Sequence, residues 1–191
     1  MNRIARLIQD HLNLRVFLPL LALALASTWY GLFVSVDRFA ALTGGLSFID
    51  MQPWLTVDKL FEQIHTYSPD TINFYIGWSI FDYLWPLLTF TTMLFISGWL
   101  LGFLSEKWQP RFWIFVASAY MTVLMDWAEN IGFIVLVTAS PNESLALARI
   151  TLGLHAGKLV FNMVFNILTW VLLIAVIVVV VRKKIIGAAR N

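Results

Sequence analysis

Asp82, Asp126, Glu129, His155 and Lys158 are the residues of this 191-residue chain whose types could do chemistry. Asp126 and Glu129 stand three positions apart and so share one face of a helix. His155 and Lys158 have the same spacing. Two carboxylates with an imidazole in reach can act as general base and acid, and a lysine beside them can hold their charge. All five lie inside long apolar runs. An ionised side chain at mid-bilayer costs about 2.5–3.5 kcal/mol, so its retention there needs a reason.

The polar positions are spaced helically. In the last apolar run, Thr151, His155, Lys158, Asn162, Asn166 and Thr169 fall on one face. Ser118, Thr122, Asp126, Glu129 and Asn130 share a face of the preceding run, and Tyr75, Ser79, Asp82, Pro86 and Thr89 share a face of the one before it. One polar stripe on each of three apolar helices predicts that the stripes point inward and meet.

Levels follow from the ~1.5 Å rise per residue. Counted from the run ends, Asp126 comes level with Asn166, Glu129 and Asn130 with Asn162, and Asp82 with Lys158, with His155 above. The expected shape is a polar vestibule descending from one face to about mid-membrane. Asp126, Glu129 and His155 are the candidate catalytic groups. Asp82, Asn130, Lys158, Asn162, Asn166, Trp85 and Trp127 are the candidate ligand-binding groups. Each has a plainer reading. Lys158 can simply bridge Asp82 or Glu129, the asparagines can tie helices together, and Trp85 and Trp127 can be core, although either could floor a pocket or face a cation. His155 lies in Gly153-Leu154-His155-Ala156-Gly157, where two glycines four apart would let another helix approach closely. Gly98 and Gly102 repeat that spacing.

Composition supports the membrane setting. Hydrophobic residues make up 60% of the chain and charged residues only 13%, against about 45–50% apolar in soluble domains. The predicted fold is an all-α integral membrane protein, a four-transmembrane-helix bundle forming a single domain over residues 1–191, with spans over 16–36, 72–104, 112–138 and 150–181. The start of the chain imitates a secretory signal, with Arg3, Arg6 and Arg15 before an apolar run and Ala24-Leu25-Ala26, but the run continues through Trp29 to Val34 and reads as a span. Pro86 should kink the second span. Ser68, Pro69 and Asp70 read as its N-cap, first-turn proline and first-turn acid.

Arg3, Arg6, Arg15, Lys107, Arg111, Arg182, Lys183, Lys184 and Arg190 fall on one side of these spans, and Arg38, Lys59 and Arg149 on the other. Positive charge collects on the cytoplasmic side, which predicts cytoplasmic termini, a cell (inner) membrane and a long extracytoplasmic loop over 37–71. Thr56 should cap a short helix through Tyr67, with Val57, Leu60, Phe61 and Ile64 on one face, lying over the bundle mouth. Residues 1–13 carry Ile4, Leu7, Ile8 and Leu12 at helical spacing, which suits a helix along the membrane surface or an extension of the first span.

The basic residues flank spans rather than forming a soluble face, so nucleic acid is not an expected partner. The absence of cysteine excludes disulfides, thiol redox chemistry and Cys-ligated zinc. No metal is expected, since Lys158 would repel one and no H-E-x-x-H spacing occurs, and no cofactor is called for. The function expected is binding of a small lipophilic molecule in a buried polar pocket, or acid–base chemistry on it. The alternatives are a proton- or cation-coupled carrier or channel acting as a homo-oligomer, and a structural membrane partner without a ligand. Beyond the bilayer, the partners foreseen are that lipophilic molecule and a second copy of the chain.

Overall fold

Apolar runs of this length must satisfy every backbone N–H and C=O internally once they leave water, and the helix does so. The computed structural model describes residues 14–188. It is 86% helix, with no strand among the described residues, so the fold is all-α. Four helices are long and apolar enough to cross a membrane. The segment expected to lie along the membrane surface, 1–13, falls outside the described residues.

Helix α1, Leu14–Thr43, runs seven residues past its predicted end at 36. It stops where Gly44 takes a left-handed φ of 71°, its N–H returning to the Ala40 carbonyl, and Gly45 follows at 104°. Side chains are rarely tolerated in that region, which explains the paired glycines. Within α1, Tyr30–Ser35 widens to π-helical turns, and Gly31 there lies against the rings of Trp78 and Phe81. The short helix α2, Val57–His65, begins where Thr56 Oγ1 accepts the Lys59 N–H, and buries Leu60, Phe61 and Ile64. Helix α3, Pro69–Leu101, starts at Ser68, whose Oγ accepts the Thr71 N–H at 3.2 Å, and continues through Pro86. Helix α4, Phe112–Ala139, and helix α5, Leu145–Ala188, complete the bundle.

Helix α4 packs against both α3 and α5, and α1 leans on α3. The interior divides into two parts. Near the ends of α3 and α4, residues 44–68 fold inward and build one core, with Phe48 stacked between Phe39, 4.0 Å away, and Trp78, 4.5 Å away. Toward the other end Leu94, Leu101, Phe112, Phe115, Phe165 and Leu172 form a second hydrophobic cluster. The outward faces carry exposed Leu, Ile, Val and Trp, a surface suited to acyl chains.

The close approach of α4 and α5 falls at Gly132. A Cβ there would collide with the Thr151 side chain, whose Cγ2 and Cβ would be 2.9 and 3.0 Å away. Gly153 faces open space and Gly157 meets only Met125, at 3.4 Å. The expectation that the Gly153–Gly157 pair marks a close crossing is therefore corrected. What matters is which face of α5 meets α4, and Thr151 and His155 hold that face.

Candidate functional site

Helices α4 and α5 are antiparallel neighbours, so the stripe of one meets the stripe of the other. At the centre is Glu129, with no exposed surface. Its Oε1 accepts from Lys158 Nζ at 2.7 Å and lies 3.1 Å from His155 Nδ1. Lys158 Nζ also donates to Asp126 Oδ1 at 3.1 Å and to the Asp50 carbonyl at 3.4 Å. An ammonium has three N–H donors, and all three are engaged. From α3, Asp82 Oδ2 accepts from Asn130 Nδ2 at 3.1 Å. Pro86 lacks an N–H, so the Asp82 carbonyl four residues earlier has no intrahelical donor.

The His155 contacts fix a proton. Nε2 lies 3.0 Å from the Gln52 carbonyl, which can only accept, so Nε2 carries a hydrogen. In a neutral ring Nδ1 would then be a bare lone pair facing Glu129 Oε1, and two acceptors at 3.1 Å repel. A proton must lie on that contact, borne by either partner. The His155–Glu129 pair is thus neutral as a unit, and Lys158 compensates Asp126.

Residues 44–68 complete the site. Asp50 is 6% exposed; its Oδ2 accepts from Trp78 Nε1 at 2.9 Å, and its carbonyl faces Lys158. Burial pushes the Asp50 carboxyl above its ordinary value, with nearby Lys158 opposing. Gln63 braces this segment. Its Nε2 donates to the Ser47 carbonyl at 2.7 Å and to Tyr67 Oη at 2.8 Å, while its Oε1 accepts from Gln52 Nε2 at 2.8 Å. Burial also raises the Tyr67 phenol above its usual range.

Beside this cluster lies a cavity of about 510 Å³, lined by α1, α3, α4, α5 and residues 50–51. Its polar wall is Asp50, Asp82, Asp126, Lys158, Asn162, Thr89 and Thr122, and its apolar wall includes Leu32, Trp78, Trp85, Phe90 and Leu159. Asp50 Oδ1, Asp126 Oδ2 and Thr89 Oγ1 are buried without a hydrogen-bond partner. Glu129 and His155 do not line the cavity; they stand behind Lys158 and Asp126.

Several expectations change on this geometry. Of the two bridges expected for Lys158, the one to Glu129 forms and is joined by Asp126, while Asp82 turns to Asn130. Levelling the helices from their ends ignored their offsets, and α5 runs well past α4. Asn166 does not join the acids; it is exposed and donates to Asn162 on its own helix, while Asn162 reaches the cavity rim. Trp85 lines the cavity, with Nε1 donating to Thr28 Oγ1 at 2.9 Å. Trp127 is a tie between helices instead, its Nε1 donating to the Tyr83 carbonyl at 2.8 Å. The cavity lining follows α3 from Trp78 to Phe90, and residues 44–68 supply one wall through Asp50 and Met51.

Asp50 and Gln52 were not foreseen as part of the site. The signal was an acid set inside an apolar run, Phe48-Ile49-Asp50-Met51, where a solvated loop would carry its acids among polar residues. Among the described residues, no three His, Asp or Glu side chains gather as a metal-ion site. No family model, curated protein or solved structure matches this chain.

Proposed function

We propose that this is an integral membrane protein that binds a small lipophilic molecule in the cavity lined by α1, α3, α4 and α5. The observation that carries the reading is the joining, in one space of about 510 Å³, of an aromatic wall to buried carboxylate oxygens without partners. Cavities of ~300–1,000 Å³ with apolar lining and a few convergent polar groups are the usual form of small-molecule sites. Trp78, Trp85 and Phe90 would take the apolar body of the ligand, and Asp126, Asp82 and Asp50 its polar end. Acid–base chemistry on the bound molecule belongs, in this reading, to Asp126, the one candidate catalytic residue on the cavity wall. Glu129, His155 and Lys158 hold it in place and set its charge.

The arginine and lysine distribution supports an orientation with both termini cytoplasmic, which puts residues 44–68 on the outer side of a cell membrane. The cavity is then reached from the outer half of the bilayer. A carrier would need a polar route to the opposite end, where the Leu94–Phe115–Phe165 cluster stands, so the binding reading is favoured. The test is native mass spectrometry and organic extraction of the purified protein beside a Leu159→Trp variant that fills the cavity. A small molecule should copurify with the native chain and be lost from the variant. Equal recovery from both, with both folded, refutes the site.

A further inference from the structure

We propose that the ligand of this cavity carries a protonated amine, so that the site selects lipophilic cations. This rests on the lipophilic-binding reading above and names the chemistry of the ligand's polar end.

Charge counting comes first. The His155–Glu129 pair is neutral as a unit, and Lys158 offsets Asp126. Asp82 and Asp50 remain, each buried and each holding a single neutral donor, Asn130 and Trp78 respectively. A buried carboxylate without a counter-charge is strongly disfavoured, and a cation in the adjoining cavity would supply that counter-charge.

The hydrogen-bond inventory points the same way. The indole and ammonium donors on the cavity wall are already committed, Trp78 Nε1 to Asp50, Trp85 Nε1 to Thr28 and Lys158 to its three acceptors, and Thr122 Oγ1 donates to the Ser118 carbonyl, which leaves the Thr89 hydroxyl and the Asn162 amide as neutral donors. Acceptors are left over. Asp126, 4% exposed, has Oδ2 unpartnered, and Asp50, 6% exposed, has Oδ1 unpartnered. Both residues line the same cavity. An alkylammonium brings donors and positive charge together and leaves its hydrocarbon against Trp78, Trp85 and Phe90, whose ring faces also attract cations. A bare inorganic cation would meet the acids but leave the aromatic wall unfilled.

The test uses the full chain in phosphatidylcholine nanodiscs, with empty nanodiscs subtracting partition into lipid. Matched probes are 4-phenylbutylamine, 4-phenylbutan-1-ol and 4-phenylbutyrate, with their 8-phenyloctyl counterparts, and the readout is saturable quenching of tryptophan fluorescence. The amines should bind at least about tenfold more tightly than the alcohols, and the carboxylates least of all. Asp50→Asn and Asp126→Asn should each reduce the amine preference to about threefold or less, and Thr89→Val should keep it. If alcohols bind as tightly as amines, the cationic preference is wrong and lipophilic binding stands. If no probe saturates the folded protein, both readings fall.

Discussion

Replacing Lys158 by methionine tests the centre of the cluster. The substitution keeps much of the side-chain volume but removes the ammonium that donates to Glu129 Oε1, Asp126 Oδ1 and the Asp50 carbonyl. Asp126 is then buried without its counter-charge, and Glu129 loses a charged hydrogen bond. Removing one partner of a buried ion pair costs about 3–5 kcal/mol, mostly because the other is stranded. At ~2–4 °C per kcal/mol for a chain of this size, the melting temperature should fall by roughly 6–20 °C. Asp126→Asn in the same chain removes the stranded charge and should restore about half of that loss. Thermal unfolding in detergent, followed by tryptophan fluorescence or circular dichroism, measures both. A Lys158→Met variant melting within about 2 °C of the native chain would refute the ammonium-centred cluster, and an additive double mutant would refute its coupling to Asp126.

Gly132→Ala should cost about 1–3 kcal/mol by forcing α4 away from Thr151, and Thr151→Ala should recover most of it; thermal unfolding of both variants decides, and a neutral single variant would sink the claim. Asp50 supplies a pH test. Its carboxyl lies above 3.8 in the fold, so the folded state holds that proton more tightly than the unfolded chain. The resulting stability is fully present below the unfolded value and is lost as pH rises through the folded one. Asp50→Asn should therefore flatten the fall in melting temperature as pH rises above the ordinary carboxylate range; an unchanged slope contradicts the assignment.

Helical periodicity made the stripes legible, because it depends only on sequence spacing. Asp126, Glu129, His155 and Lys158 could be assigned to facing sides of two helices without coordinates. Vertical register could not, since it depends on where each helix starts relative to its neighbours. That is why Asp82 was set beside Lys158 and Asn166 beside Asp126. Asp50 and Gln52 were hidden for another reason. Each meets a partner more than a hundred positions away, Lys158 and His155, and no local pattern encodes such a contact. Trp127 shows the limit of composition, since an indole beside acids can equally be a tie to a carbonyl on the next helix.

The turn between α4 and α5, residues 140–144, has a consequence for how the chain enters a bilayer. Inserted alone, α4 would carry Asp126 and Glu129 into hydrocarbon, and α5 would carry Lys158, at about 2.5–3.5 kcal/mol per charge. So short a connection makes the two a helical hairpin, within which the ammonium meets both carboxylates without help from α3 or residues 44–68. The hairpin can thus partition as a largely neutralised unit, while Asp82 and Asp50 lie outside it.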